Sequence, residues 1–325
     1  MNGVQEGSRT SGAAQPMGSP LETPVALLIF NRPELTTEVF QAVREARPRQ
    51  LLVIADGPRP DRPGEGERCL AARAAVSQVD WDCEVLWNCA DHNLGCRRRV
   101  SSGLNWVFEQ VESTVVLEDD CVPHPTFFRF CQDLLVRYRD DTRVMGISGD
   151  NFLSEGARSP YSYYFSRYTH VWGWASWRRA WKHYDVDMQL WPEIRAGDWL
   201  AAAFPGARER RFWTRILDRV WSRQVDTWDY QWSFACWQQG GLTILPRVNL
   251  VSNVGFGGDA THTLVRSPLA ARPASPMTFP LCHPPFVMRN VEADAYTQLN
   301  VVGADWRQRF RKAVRRLVRA VSGAR

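Results

Sequence analysis

The segment VVLEDDCVP, residues 115–123, sets a short apolar run directly against three consecutive acids. Residues 115–117 suit a buried strand, and Glu118, Asp119 and Asp120 follow without a spacer. Adjacent carboxylates repel one another and raise one another's pKa unless a cation lies among them. Because side chains alternate along an extended chain, Glu118 and Asp120 should share a face and Asp119 should point away. The segment therefore predicts a strand that ends on a cation-binding group of acids. The alternative is a solvated turn whose acids cap a helix starting near Pro123.

Three apolar runs of the same kind precede this segment. They are VALLIF (25–30), LLVIAD (51–56) and CEVLWN (83–88). Between the first two runs, Leu35, Val39 and Val43 recur at helical spacing, and similar patterns follow the other runs. Four strand–helix units in about 100 residues predict an α/β fold, with a mixed, mostly parallel sheet flanked by helices.

Polar residues stand where three of these strands end. Asn31 and Arg32 follow the first strand, Asp56 ends the second, and the acidic triplet ends the fourth. Ligands of such sheets bind outside the carboxyl ends of the strands, so these side chains should line one crevice. Arg32 could pair with a phosphate, since a guanidinium matches phosphate geometry, or it could lie on a surface loop. Asp56 could face a ligand in this crevice or simply form an Asp-Gly turn.

The positive charge of the chain is confined to its C-terminal end. Residues 307–325 hold eight of the 40 Lys and Arg residues and no acid, which leaves 32 basic against 35 acidic residues elsewhere. The body therefore has no basic footprint, and we expect no nucleic acid as a partner. DWRQRFRKAVRRLVRAV (305–321) has an apolar face and a basic face, which is typical of a helix on an anionic membrane surface. A solvated tail or a partner helix is the alternative.

Cysteine usage and hydropathy indicate a cytoplasmic protein. The eight cysteines form no CxxC pair and no Cys/His metal spacing, so we expect reduced thiols. No apolar stretch approaches the roughly 20 residues that span a bilayer. We expect the chain to lie in the cytoplasm, at most peripherally on the inner face of the plasma membrane.

We divide the chain into four parts. Residues 1–23 are rich in Gly, Ser and Pro and predict a disordered lead-in. Residues 24–150 form the half of one domain that we expect to bind a nucleotide, and residues 151–300 form the half that we expect to bind an acceptor. Residues 305–325 form the basic amphipathic C-terminal helix.

Several blocks of the sequence resemble one class of enzymes. The acidic triplet is similar to the carboxylate motif of GT-A nucleotide-sugar glycosyltransferases, and its EDD form resembles that of Golgi N-acetylglucosaminyltransferase I. The runs VWGWASWRRAW (171–181), TWDYQW (227–232) and LVSNVGFGGDATHT (250–263) resemble a bacterial nucleotide-diphospho-sugar transferase family. The resemblance extends over residues 24 to 290.

The resemblance implies a GT-A (Rossmann-like) fold and a set of roles. Asp120 would ligate Mn²⁺ or Mg²⁺, and Glu118 and Asp119 would orient the ribose, the sugar or metal-bound waters. Asp56 would bind the nucleobase of a nucleotide-diphosphate sugar donor. Such a metal would bridge the two phosphates and offset the charge that develops on the leaving nucleotide.

An inverting transfer also needs a base for the acceptor hydroxyl. Asp229 lies between Trp228 and Tyr230, and its position resembles that of the family's catalytic Asp. The alternative is an N-cap Asp on the helix that follows, and Asp226 is a second candidate base.

Four other features of the family-like blocks carry alternatives. Gly95 predicts a tight turn beside the ligand, and residues 97–99, all Arg, could reach phosphates or form a solvated face. Trp172 or Trp174 could stack on the sugar, although most aromatic residues in that run suit a core. His262 follows a Gly-rich stretch and could contact the metal or a phosphate, or be structural.

The sequence therefore predicts a metal-dependent, inverting glycosyltransferase of surface glycan or glycolipid synthesis, with a saccharide or lipid-linked acceptor. Two other readings use the same residues. One is a metal-assisted nucleotidyltransferase or phosphohydrolase, although NRPELTTE (31–38) lacks the Gly-rich basic loop expected of a nucleotidyltransferase. The other is a non-catalytic protein that binds sugars or membranes.

Overall fold

The computed structural model describes residues 20–153, 159–255 and 272–302. The first part of the chain forms the four strand–helix units that the apolar runs predict. Their bounds are β1 Val25–Ile29, α1 Pro33–Ala46, β2 Gln50–Ala55, α2 Glu65–Val76, β3 Glu84–Cys89, α3 Gly95–Gln110 and β4 Ser113–Glu118.

The rest of the described chain alternates short strands with helices. Its first elements are β5 Cys121–Pro123, α4 Thr126–Arg137, β6 Val144–Ser148, β7 Tyr163–Ser166, β8 Trp174–Trp177, α5 Arg178–Trp181 and α6 Trp191–Ala196. After a 3₁₀ turn at Trp199–Ala201 come α7 Ala207–Trp221, α8 Asp229–Gln238, β9 Leu242–Pro246, β10 Val251–Asn253 and α9 Val291–Tyr296, with a π turn at Thr297–Val302.

Eight of the described strands form one sheet in the order β3-β2-β1-β4-β8-β6-β9-β7. The first four are parallel, β6 and β9 run in the same direction, and β8 and β7 run against them. The predicted mixed, mostly parallel α/β sheet is confirmed. Its antiparallel members, β7 and β8, come from the aromatic second half of the chain.

Helices cover both faces of the sheet. Along β1, Val25, Leu27 and Ile29 join the apolar cluster that includes residues of α1 and α4. Ala26 and Leu28 join the cluster that includes residues of α3 and α8. This alternation is the period-2 pattern of a strand buried on both sides, and it explains why the sequence shows a continuous apolar run there.

Two predicted segments, residues 1–23 and 305–325, lie at the ends of the chain. Leu21, inside the predicted lead-in, is 5% exposed and forms a parallel bridge with Pro48, so the last residues of that segment pack against the sheet. Residues 1–19 and the predicted C-terminal helix 305–325 lie outside the described residues. Within the described ranges, no helix is both long and apolar enough to cross a bilayer.

The contact between α3 and β2 offers a test of this packing. A Cβ on Gly103 would lie 2.5 Å from Cγ2 of Ile54, so Gly103→Ala should lower the free energy of unfolding by about 1–3 kcal/mol. Gly66, in α2, has open space around it, and Gly66→Ala should be neutral or stabilising, because alanine favours helices. Urea unfolding of both variants measures the difference, and an equal effect of the two substitutions would contradict the packing described.

Candidate functional site

A pocket of about 440 Å³ opens at the carboxyl ends of β1, β2 and β4. It gathers most of the side chains that the strand ends and the family-like blocks predict. These are Arg32, Asp56, Gly95, Glu118, Asp119, Asp120, Trp172 and Asp229. Two predicted residues of the described chain do not line the pocket: Trp174, and Asn31, whose side chain donates a hydrogen bond of 2.8 Å to Glu65. His262 lies outside the described residues.

Arg32 is the cation among the acids. Its guanidinium donates to Oδ1 of Asp119 and, at 2.9 Å, to Oδ2 of Asp120. The Phe30 backbone N–H donates to the other oxygen of Asp119 at 3.3 Å. Burial alone would lower the pKa of Arg32, but these two carboxylates raise it above its ordinary value, so the side chain stays charged. The alternative of an arginine on a surface loop is wrong.

This bridge also corrects two expectations for the triplet. Strict alternation predicts that Asp119 points away from Asp120, yet one guanidinium binds both, because β4 ends at Glu118 and a turn follows. The helix-capping alternative is also wrong. Helix α4 begins at Thr126, and its N-cap residue is Pro125, with no side-chain cap.

Glu118 differs from its two neighbours in having no counter-ion. Among the described residues, no hydrogen bond or ion pair reaches its carboxylate. Burial, followed by the charges of Asp120 and Asp119, raises its pKa above the ordinary value of a glutamic acid. Burial also raises the pKa of Asp119, against the lowering effect of Arg32. Of the three carboxylates, Glu118 is thus the one whose ionised form is least stabilised by its surroundings.

The pocket as a whole has an excess of negative charge. Six carboxylates line it, at positions 56, 118, 119, 120, 226 and 229, against three guanidiniums, at positions 32, 59 and 99. A diphosphate would meet net repulsion here unless a further cation came with it. The charges of the lining therefore favour a cation, and would admit an anionic ligand only together with one.

The donor set fits a nucleotide-bridged divalent ion better than a closed metal site. Within the described ranges, no group of three or more His, Cys, Asp or Glu residues is arranged to hold a metal. Mg²⁺ commonly takes one or two carboxylates together with substrate phosphates and waters. Glu118 and Asp120 could supply those carboxylates, and the lack of any partner for Glu118 is consistent with that use.

Two carboxylates of the pocket lining, those of Asp56 and Asp226, accept hydrogen bonds from the backbone N–H groups at the start of α3. Asp56 accepts hydrogen bonds from the backbone N–H groups of Gly57 at 2.9 Å and Leu94 at 3.0 Å, and from the Asn93 amide at 2.9 Å. Burial raises the pKa of Asp56 while these hydrogen bonds lower it, and the net shift is upward. The Asp-Gly turn is present, and contact with a nucleobase stays a prediction.

Asp226, from the second half of the chain, completes this arrangement. It accepts from the backbone N–H groups of Cys96 and Arg97, both at 3.1 Å, so the candidate second base is bonded to the first turn of α3. Gly95 has a φ of +76°, and a Cβ there would lie 2.9 Å from Asp226 Oδ2. The predicted tight turn is confirmed. A free helix N-terminus is a ready phosphate site, but these carboxylates fill this one.

The arginines that follow serve the structure. Arg97 donates to the Val186 carbonyl at 2.6 Å and to Asp187 at 2.9 Å. Arg99 donates to the backbone and side-chain oxygens of Asn88 at 2.5 and 2.7 Å. Both are buried, so neither belongs to a solvated face, and only Arg98 of the three is exposed. Arg99 also lines the pocket, and contact of these arginines with a phosphate stays a prediction.

Asp229 lies at the first position of α8 and lines the pocket. The Thr227 hydroxyl donates a hydrogen bond to it. The N-cap position belongs to Trp228, so Asp229 is not the cap, although an acid in the first turn still favours the helix. One of its oxygens is held by Thr227, and the side chain faces the cavity that holds Glu118 and Asp120.

Of the two candidate tryptophans, only Trp172 lines the pocket. Trp174 is 2% exposed and packs at 5.6 Å from the rings of both Trp228 and Trp232. Its assignment to the sugar pocket is wrong, because the first residue of β8 faces the core between the sheet and α8.

The structure adds two residues that sequence reasoning missed. Asp150 follows β6, is 1% exposed and accepts a hydrogen bond of 3.1 Å from the Trp172 backbone N–H. The signal was present, since Asp150 is a polar residue just after a strand end. A Cβ on Gly255 would lie 2.0 Å from Oδ2 of Asp120, and the antiparallel pairing of β10 with β5 holds this segment there. No local pattern predicts that approach.

No family profile matches the sequence, and no curated protein matches it. Among solved structures, a UDP-glucose pyrophosphorylase complexed with UDP-glucose matches at 10% identity and a TM-score of 0.24, covering 41% of this chain and 66% of that chain. The inositol-1-phosphate CTP transferase from T. maritima matches at 9% identity and a TM-score of 0.36, covering 70% and 86%. At these identities and TM-scores, the likenesses assign no activity to the chain.

The uncompensated charge of Glu118 predicts a pH-dependent stability. Since the folded-state pKa lies above the unfolded-state value, protonation of Glu118 stabilises the fold, and this contribution is lost as the pH rises through the folded-state pKa. Glu118→Gln should therefore raise the free energy of unfolding by at least about 1 kcal/mol at about pH 9, and by less at about pH 5. Urea unfolding at the two pH values measures this.

The exposed Glu45 provides the matched control, because Glu45→Gln removes the same charge from the surface of α1. Its effect should be small and similar at both pH values. If the Glu118→Gln variant were less stable than the wild type at the higher pH, the ionised Glu118 carboxylate would not destabilise the fold.

Proposed function

We propose that the chain is a metal-dependent, inverting glycosyltransferase of the GT-A class, acting on a nucleotide-diphosphate sugar. One observation carries the proposal: a pocket at the sheet's ligand edge combines a carboxylate without a partner, Glu118, with Asp120 and, in the same cavity, Asp229. A nucleotide diphosphate needs a divalent cation in such a lining, and a sugar acceptor needs a base. The resemblance of the EDD triplet and the TWDYQW run to the same class supports both assignments.

The residues take the following roles in this proposal. Asp120 and Glu118 would hold Mn²⁺ or Mg²⁺, which would neutralise charge on the departing nucleoside diphosphate. Arg32 would keep its ion pairs with Asp119 and Asp120 and could offer its remaining N–H donors to the diphosphate. Asp56 and Asp119 bind the nucleoside, and Trp172 supplies an apolar face for the sugar.

Asp229 acts as the base. The acceptor hydroxyl loses its proton to this carboxylate as its oxygen attacks the anomeric carbon, and the bond to the diphosphate breaks on the opposite side. The Thr227 hydroxyl holds one carboxylate oxygen and leaves the other for the acceptor. Attack from the face opposite the leaving group inverts the anomeric configuration.

The rival enzyme class is a nucleotidyltransferase or phosphohydrolase. A nucleotidyltransferase would need donors that cradle a triphosphate, yet the first turn of α3 is filled by Asp56 and Asp226, and Arg32 follows β1 without a Gly-rich loop. We therefore favour glycosyl transfer, with a saccharide or lipid-linked acceptor. Cytoplasmic location, and membrane contact through residues 305–325, belong to the same proposal.

Calorimetric titration with UDP, GDP and CMP, with and without Mn²⁺, tests the binding half of the proposal. One nucleotide should bind only when the metal is present. Asp120→Asn should abolish this metal-dependent binding, whereas Asp229→Asn should retain it, because only the former removes a ligand of the ion. Asp140→Asn, which removes an exposed acid, is the matched control. No binding by any of the three nucleotides would leave a non-catalytic protein as the better reading.

Product analysis tests the chemical half. Glycosyl transfer releases a nucleoside diphosphate from a sugar nucleotide, whereas a nucleotidyltransferase releases pyrophosphate from a triphosphate. Asp229→Asn should lower turnover about 100- to 10,000-fold, the range for loss of a general base, without weakening nucleotide binding. Pyrophosphate release from a nucleoside triphosphate, in place of diphosphate release, would favour the rival class.

A further inference from the structure

Asp150 is a buried acid at the same edge of the sheet as the pocket. It follows β6, which runs in the direction of β4, because β8 is antiparallel to both strands. Only 1% of Asp150 is exposed, and its Oδ2 accepts the hydrogen bond of 3.1 Å from the Trp172 backbone N–H. Among the described residues, its Oδ1 has no hydrogen-bond partner. A buried carboxyl with a single partner lowers stability, so packing alone does not account for an acid at this position.

The surroundings of Asp150 favour its neutral form. Burial raises the pKa of Asp150 well above its ordinary value, and the hydrogen bond from the Trp172 N–H lowers it by less. A neutral carboxyl keeps an oxygen that accepts hydrogen bonds. Asp150 can therefore hold the Trp172 N–H without adding to the negative charge of the pocket lining.

The backbone on both sides of Asp150 is fixed by contacts outside the pocket. The Gly149 N–H donates to the Gly173 carbonyl at 2.7 Å. The side-chain amide of Asn151, which is 3% exposed, donates to the Pro246 carbonyl at 2.8 Å. The Asp150 carboxyl thus stands on a segment that its two neighbours in the chain anchor to other strands and loops.

Two hydrogen bonds hold the segment that contains Trp172 against the segment after β6. One joins the Trp172 N–H to Asp150, and the other joins the carbonyl of Gly173, which has a φ of +66°, to Gly149. The Trp172 ring lies edge-on to the ring of Phe152, with 5.0 Å between the centroids, and Trp172 lines the pocket. The place of this indole at the pocket therefore depends on the segment after β6.

The rings behind Trp172 carry no charge. Phe152 is 7% exposed, and its ring centroid lies 4.6 Å from that of His170. Burial lowers the pKa of His170 to about 3, so this imidazole is neutral at neutral pH. Trp172 thus gives the acidic pocket an uncharged aromatic wall, which suits the C–H face of a sugar ring.

We propose that Asp150 is a positioning residue for the donor sugar: its hydrogen bond fixes Trp172 so that the indole face lies against the sugar ring. This role rests on the proposed function, since it takes a sugar nucleotide as the ligand. Asp150 is not among the residues that line the pocket, so it acts through Trp172 and not by contact with the ligand.

Calorimetric titration with Mn²⁺ present tests the role by comparing nucleoside diphosphates with their sugar nucleotides. The pairs are UDP with UDP-glucose, UDP-galactose and UDP-N-acetylglucosamine, and GDP with GDP-mannose. The ratio of the two affinities measures what the sugar contributes. Asp150→Leu removes the acceptor for the Trp172 N–H and should lower this ratio about 10-fold, with the affinity for the nucleoside diphosphate unchanged. Trp172→Ala should lower the ratio by a similar factor.

Asp150→Asn is the matched control, because a primary amide keeps the acceptor oxygen in nearly the same shape. It should retain the wild-type ratio. In the Trp172→Ala background, Asp150→Leu should cause no further loss, since Asp150 acts through Trp172. A further loss in that background would overturn the positioning role, and so would equal losses in Asp150→Asn and Asp150→Leu.

Fluorine NMR of protein labelled with fluorotryptophan tests the link between the two residues without any ligand. The resonance that is missing in Trp172→Phe belongs to Trp172. Asp150→Leu should shift or broaden this resonance, and Asp150→Asn should leave it in place. The resonance of Trp199, which is 68% exposed, serves as the reference and should not change in either variant.

The outcomes separate this role from the proposed function. If no nucleotide binds to the wild type, the proposed function fails, and the NMR comparison still decides whether Asp150 positions Trp172. If nucleoside diphosphates bind and their sugar nucleotides bind no more tightly, Trp172 is not the wall for the sugar. An unchanged Trp172 resonance in Asp150→Leu would overturn the positioning role directly.

Discussion

The ion pairs between Arg32 and the two aspartates of the triplet are the constraint on which the site depends. Three carboxylates crowd the end of β4, and one guanidinium, which follows β1, binds Asp119 and Asp120. Because β1 and β4 are parallel neighbours, their carboxyl ends meet, and the cation reaches the acids from a position 87 residues away in the chain. Glu118 is left without a partner, so the cluster keeps a negative charge that a bound cation could satisfy.

The two halves of the pocket are held together at the start of α3. Asp56 comes from the first half of the chain and Asp226 from the second, and their carboxylates bind backbone N–H groups of one helix turn. This uses the helix N-terminus for structure, where many α/β proteins use it for phosphate. The cations of the lining are therefore the side chains of Arg32, Arg59 and Arg99. The same contacts couple the loop before Asp229 to the loop that carries Gly95.

Aromatic residues of the run 171–181 lie in the core or at the pocket, depending on their position relative to β8. In the run 171–181, Trp174 and Trp181 pack with Trp228 and Trp232 in the core beneath α8, whereas Trp172 lies before β8 begins and faces the cavity. Composition does not separate these roles, since all are tryptophans within one short run. A hydrogen bond made only by Trp172 separates it from the others: its backbone N–H donates to the buried Asp150.

Sequence alone determined the parallel half of the sheet and the place of the site. Apolar runs that end on polar residues are local patterns, and parallel strands must bring those ends to one edge, so Arg32, Asp56 and the triplet could be placed together in advance. Only the tertiary structure decided how their charges pair. The Asp226 cap on α3, the bridge from Arg32 to Asp119 and the approach of Gly255 to Asp120 join residues far apart in the chain. No local spacing encodes these contacts, because they depend on which strands and loops become neighbours after folding.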